Sequence, residues 1–124
     1  MTEAELQAAV TELAGTLGLD VLHVRDVRRE HRAWKGFPDL LIVGPAGLLF
    51  REIKPAGGQL RGAQKAWQWK LRGAGQNAGE WRPVDWRIGR IADELAALAG
   101  RQAAGDDDDP ERAFFKALYG RRRS

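Results

Sequence analysis

The stretch Gly36-Phe-Pro-Asp39-Leu-Leu-Ile-Val43-Gly-Pro-Ala-Gly47-Leu-Leu-Phe-Arg51-Glu-Ile-Lys54 decides how this chain folds. It reads as two short apolar strands joined by a tight turn, Gly44-Pro45-Ala46-Gly47, whose residues are turn formers. As the loop of an antiparallel hairpin, this turn sets Val43 opposite Leu48 and brings Asp39 opposite Glu52. Opposed residues on one face of a sheet have Cβ atoms about 4.5–5.5 Å apart. Lys54 stands two residues beyond Glu52 and projects from the same face. Two carboxylates and an ammonium thus meet at one end of an otherwise apolar hairpin. Directly opposed like charges are destabilising, unless a cation sits between them. A hard, oxygen-seeking ion such as Mg²⁺ or Mn²⁺ suits two carboxylates. On spacing alone, a local ion pair in which Lys54 neutralises both acids stands on an equal footing, and a one-residue slip would put Asp39 and Glu52 on opposite faces.

At 124 residues the chain is expected to form one domain with a real core. It contains no cysteine, which excludes disulfides and thiolate metal sites. No segment approaches the roughly 20 apolar residues of a membrane span. The acidic start, Met1 to Glu5, lacks the order of a signal peptide, so a cytoplasmic location is expected. The net charge is only +3, but it is unevenly spread. Arg25, Arg28, Arg29, Arg32 and Lys35 precede the hairpin, and Arg61, Lys65, Lys70 and Arg72 follow it. Basic segments flanking an acidic centre fit a polyanionic substrate, although solvated arginines are common in any basic protein.

Around the hairpin, Leu6, Val10, Leu13 and Leu17 recur at helical spacing between Thr2 and Leu17. Thr2 and Glu5 have the form of a capping box, which leaves Glu3 and Gln7 sharing a face with no structural task. Residues 20–24 read as a strand, and residues 25–35 as a charged loop. His23 reads as a strand-end or packing histidine, because no second histidine sits at metal-ligand spacing. A helix is expected from about Arg61 to Ala74, with Ala63, Trp67 and Leu71 on one face and Gln64 in its first turn. Trp67 and Trp69 cannot both face a core, and the exposed one could stack on a base. A short or edge strand is expected over residues 76–81, a turn over 82–86, and a final helix from Trp86 to Leu98 carrying Ile88, Ile91, Leu95 and Leu98. Gly100 to Asp109 reads as an acidic linker, ending in Asp106 to Asp109, followed by a short helical segment from Pro110 to Tyr119 carrying Phe114, Phe115, Leu118 and Tyr119, and a basic end, Arg121 to Arg123.

Helix, strand, hairpin, helix, strand is the order of the PD-(D/E)XK nuclease core. Pro38-Asp39 stands as its PD and Glu52-Ile53-Lys54 as its EXK. More narrowly, the chain resembles the VRR-NUC family over roughly residues 1–99. The resemblance rests on Glu3-Ala-Glu-Leu-Gln7, Gly36-Phe-Pro-Asp39, Glu52-Ile-Lys54, Gly58-Gln-Leu60, Gln64-Lys-Ala-Trp67, Leu71-Arg-Gly-Ala-Gly75, Trp81-Arg-Pro83 and Asp85-Trp86, in that order. It implies an α/β fold with a restriction-endonuclease-like core, a central mixed sheet flanked by helices in the order αβββαβ, and a further C-terminal helix. The nuclease domain would span residues 1–99, with residues 100–124 a linker and a short amphipathic, basic-ended segment.

The resemblance further implies a metal-dependent phosphodiesterase, acting as a homodimer on branched DNA such as flaps or Holliday-like junctions. Asp39, Glu52 and the Ile53 carbonyl would ligate Mg²⁺ or Mn²⁺, with Glu3 a further candidate ligand. Lys54 would position or deprotonate the attacking water, and Gln64 would support the site from the following helix. Gln7, Arg25, Arg28, Arg29, Arg32, Lys35, Arg61 and Lys65 are candidate DNA contacts. A non-catalytic DNA-binding module on the same fold and a nuclease acting on RNA remain the competing readings. The chain departs from the family pattern at Ala78-Gly79-Glu80, where a distorted strand is expected, at Arg61-Gly62, and beyond Gly100.

Overall fold

The protein is described by a computed structural model that covers residues 1–24 and 32–101. The elements run α1 (Glu3–Thr16), β1 (Asp20–His23), a 3-10 turn (Arg32–Trp34), β2 (Leu40–Gly44), β3 (Gly47–Ile53), α2 (Gly62–Gly73), β4 (Asn77–Trp81), α3 (Pro83–Arg87) and α4 (Arg90–Leu98). They build a mixed α/β fold around a four-stranded sheet in the order β1-β2-β3-β4. The first three strands are antiparallel, and β4 joins parallel to β3 after the α2 crossover.

Hairpin register follows the turn. Val43 pairs with Leu48 and Leu40 with Arg51, and the ladder stops one pair short of Asp39 and Glu52. Alternation then divides the sheet into two faces. Leu40, Ile42, Leu49, Ile53 and Trp81 pack with Leu6, Val10 and Leu13 of α1 and Ile91 and Leu95 of α4 in one core. Phe50 points the other way and meets the edge of the Phe37 ring, which also meets Trp67 of α2. α1 starts as its sequence dictates: the Thr2 hydroxyl accepts from the Glu5 amide at 3.1 Å, and the Glu5 carboxylate accepts from the Thr2 amide at 2.8 Å. Those bonds hold the Glu5 carboxyl below its ordinary value.

Within β1 the core-facing residues are Val21 and His23, and Leu22 lies 49% exposed. Three elements depart from the sequence expectation. Along α2 the buried residue is Gln68, while Trp67 is half-buried and Trp69 is 77% exposed. The Gln68 Oε1 accepts from Arg72 at 3.1 Å. Residues 83–87 form a helix rather than a turn, because Pro83 suits a first helical turn and Asp85 accepts from the Arg82 amide at 2.7 Å. Gly89, at φ 85°, ends that helix before α4 starts, which leaves Ile88 exposed instead of on the apolar stripe.

The strand over 77–81 is regular. Gly79 pairs with Arg51 in an unbroken ladder, and the guanidinium groups of Arg51 and Arg72 lie at ordinary contact distances, 3.9 and 3.7 Å, from where a Cβ would stand. Arg51 itself is 3% exposed and in phase with the core residues Leu49 and Ile53. It donates to the Asn77 carbonyl at 2.9 Å, to Asn77 Oδ1 at 2.8 Å and to Glu94 at 2.9 Å. Glu94 also accepts from Trp81 Nε1 at 2.9 Å and from Arg90 at 2.7 Å. Burial lowers the Arg51 pKa. Burial also pushes the Glu94 carboxyl up, but the bonds from Arg90, Trp81 and Arg51 outweigh it and hold the group below its ordinary 4.5.

Removing one partner of a buried pair leaves the other charge uncompensated, so Glu94→Ala is expected to destabilise the fold by about 3 kcal/mol in urea unfolding. Because the Glu94 pKa is depressed in the folded state, its contribution is present above 4.5 and is lost as pH falls through the folded value. Glu94→Gln should therefore show a smaller loss of stability than the parent protein on acidification below 4.5.

Candidate functional site

At the end of the sheet where β2 begins and β3 ends, a cleft of about 540 Å³ opens. It is lined by Glu3 of α1, by Asp39, Glu52, Ile53 and Lys54 of the hairpin, and by Arg61, Ala63 and Gln64 at the start of α2. Arg32, Lys35 and Gly36 complete the wall from the 3-10 turn and the residues after it.

The two carboxylates are fixed by the backbone around them. Asp39 is 3% exposed, and its Oδ2 accepts from the Ile53 amide at 2.9 Å. This bond prolongs the hairpin contact past the last ladder pair, through a side chain. Glu52 is 4% exposed, and its Oε2 accepts from Gln64 Nε2 at 2.9 Å. The other end of the Gln64 amide, Oε1, accepts from the Arg61 amide at 2.8 Å. One side chain therefore caps α2, whose first amides lack intrahelical partners, and ties that helix end to β3.

Gly36 sets the distance between the 3-10 turn and α2. Its φ is +85°, and a Cβ there would stand 2.6 Å from the Ala63 carbonyl carbon. That contact brings the turn carrying Arg32 and Lys35 against the helix start carrying Gln64.

A solved structure described as a VRR_NUC domain protein superimposes on this chain with a TM-score of 0.56, at 24% sequence identity, covering 79% of this chain and 90% of the other. This chain has the VRR_NUC fold. No protein-family model and no curated protein matches it. The restriction-endonuclease-like α/β core expected from the motif series is thus observed, with α3 added between β4 and the last helix.

Within that VRR_NUC fold, the predicted residues Asp39, Glu52, Ile53, Lys54, Gln64 and Glu3 all reach one cleft, as do Arg32, Lys35 and Arg61. Gln7 lies outside it, in a neighbouring depression with His23, whose Nδ1 is 3.0 Å from Gln7 Nε2. Lys65 is exposed on α2 and does not line the cleft. Arg25, Arg28 and Arg29 lie outside the described residues, as do the acidic linker and the aromatic segment after it. Among the described residues, no three His, Cys, Asp or Glu side chains are grouped closely enough to hold a metal ion by themselves. The acidic donors at the sheet end are therefore two carboxylates, Asp39 and Glu52, beside main-chain groups.

Sequence reasoning missed the part that Trp34 and Phe37 play beside the cleft. Trp34 stacks on Trp67, ring centroids 5.3 Å apart at 21°, and Phe37 meets Trp67 at 4.9 Å. Their signal was present: three aromatic residues, Trp34, Phe37 and Trp67, flank the motifs on both sides of the hairpin. Gly36→Ala combines a left-handed backbone penalty with overpacking against Ala63, and should cost at least roughly 2 kcal/mol in thermal or urea unfolding.

Proposed function

We propose that this protein is a metal-dependent nuclease whose catalytic residues are Asp39, Glu52 and Lys54. The observation that carries this reading is the pair of carboxylates, each under 5% exposed, at one level of the sheet end, with cationic side chains around them. The two buried carboxylates and the main chain beside them present oxygen donors to the cleft. The available donors are oxygens, which suits Mg²⁺ or Mn²⁺ rather than a softer ion. Asp39, Glu52 and the Ile53 carbonyl would hold the ion, and Glu3 of α1 lines the same cleft without forming a three-carboxylate group with them. Once bound, such an ion supplies Lewis acidity and lowers the pKa of water near a phosphodiester.

The chain's own residues do the rest. The Ile53 amide fixes the Asp39 carboxylate, and Gln64 fixes Glu52, so both acids are oriented before any ligand arrives. Lys54, the residue after β3, lines the same cleft, where it positions the attacking water and meets the negative charge that builds on phosphorus. Arg32, Lys35 and Arg61 line the same cleft and bind the phosphate backbone. Lys65 and Gln7 extend that contact outside the cleft. The finer reading is a structure-specific endonuclease that cuts branched DNA, flaps or four-way junctions, as a homodimer in the cytoplasm. Among the described residues no helix is long and apolar enough to cross a membrane.

Incubated with Mn²⁺ and a panel of flap, splayed-arm and junction DNA, the protein should cut at least one substrate. Asp39→Asn, Glu52→Gln and Lys54→Ala should each lower the rate about 100-fold or more, by analogy with loss of one electrostatic catalytic group, while DNA binding persists. Intact substrates together with no heat of Mn²⁺ binding in calorimetry would reject the nuclease reading. Steeply salt-dependent binding with no metal dependence would instead favour a non-catalytic DNA-binding module. Including RNA in the panel decides between the two nucleic acids.

A further inference from the structure

The turn that supplies Arg32 and Lys35 to the cleft also carries Trp34 between them, and Trp34 is 42% exposed. Burial would be the favoured fate of so large an apolar ring, yet the surrounding contacts hold it at the surface. Trp34 lies nearly parallel to Trp67 and meets the edge of Phe37 at 5.6 Å and 83°. Trp67 is fixed in turn: its Nε1 donates to the Lys35 carbonyl at 3.1 Å, and the Lys70 ammonium stands 5.1 Å from its ring centre. A rigid aromatic surface with cations on either side is the arrangement that binds single-stranded nucleic acid, where bases stack and phosphates pair. A fully paired base keeps both faces covered by its neighbours, so such a surface offers it nothing.

We propose that Trp34 is the stacking surface for an unpaired base of a strand whose backbone enters the Asp39–Glu52 cleft, so that the substrate is single-stranded at that point. The proposal rests on the nuclease reading for what the cleft does, but not for the stack itself. Trp34 is a specificity-determining residue here, one that selects unpaired nucleotides next to the acidic centre. Trp69, although more exposed, stands outside the Trp34–Phe37–Trp67 ring cluster and away from the turn that carries Arg32 and Lys35, and has no part in it.

The test measures binding of the full chain to a fluorescent single-stranded 12-nucleotide probe of about that length, in EDTA so that no cleavage occurs; the length is chosen to fit the roughly 4–16 nucleotides of small single-strand sites. One stacked base contributes about 1–3 kcal/mol, so Trp34→Ala and Trp34→Leu should weaken binding roughly 5- to 150-fold, while Trp34→Phe retains most of it. Trp69→Ala should bind as the parent does. Moving a single abasic site along the probe should reveal one position where the parent protein loses that same factor and Trp34→Leu loses nothing further. Trp34→Leu keeps an apolar side chain against Trp67, so it carries the test if Trp34→Ala does not fold. Absence of binding by the parent, unchanged affinity in Trp34→Leu, or equal losses in parent and variant at every abasic position would each overturn the proposal. Failure of the nuclease reading looks different: the abasic coupling persists while no substrate is cut with Mn²⁺.

Discussion

The structure depends on the register of β2 against β3. A two-residue side-chain period means that the pairing of Val43 with Leu48 fixes the facing of every later residue in the hairpin. The apolar residues Leu40, Ile42, Leu49 and Ile53 then join one core, and Phe50 and Glu52 turn to the α2 side. Where the ladder ends, the Asp39 carboxylate takes over by accepting from the Ile53 amide. The same residue thus closes the hairpin and forms one wall of the cleft. Structural and chemical roles coincide there, so the acid is held in place by the strand pairing itself.

Around this hairpin the remaining elements act as supports. α1 covers the core face and brings Glu3 to the end of the sheet. The α2 crossover returns the chain to β4 and delivers Gln64 to Glu52, while the left-handed backbone at Gly36 brings the preceding turn close to Ala63. The candidate site is assembled from four separate stretches, yet each is fixed by a short-range bond or a close contact rather than by a long flexible side chain.

Much of this was legible because it depends on local chemistry. The turn residues 44–47 specified the hairpin, the Thr2–Glu5 box specified the start of α1, and the position of Gln64 in a first helical turn placed it after β3. What escaped was set by tertiary partners. Arg51 looks like a surface residue until Glu94, more than forty residues later, is seen to meet it at 2.9 Å. Ala78-Gly79-Glu80 has weak strand propensity, but pairing along the β3 ladder makes a regular strand of it. Ile88 fits an apolar stripe in sequence, and only the left-handed backbone at Gly89 takes it out of phase. The platform of Trp34, Phe37 and Trp67 needed three rings from two elements to be brought together, which no single periodicity encodes.

The buried Arg51 has a consequence for how this strand can vary. Arg51 and Glu52 are neighbours whose side chains leave opposite faces, one toward Glu94 and the other toward Gln64. A slip of one residue in β3 would turn Arg51 off the Glu94 face and Glu52 off the Gln64 face. Each buried charge would then lose the partner that holds it, so the wrong register is rejected on both faces together. The strand therefore proofreads its own alignment.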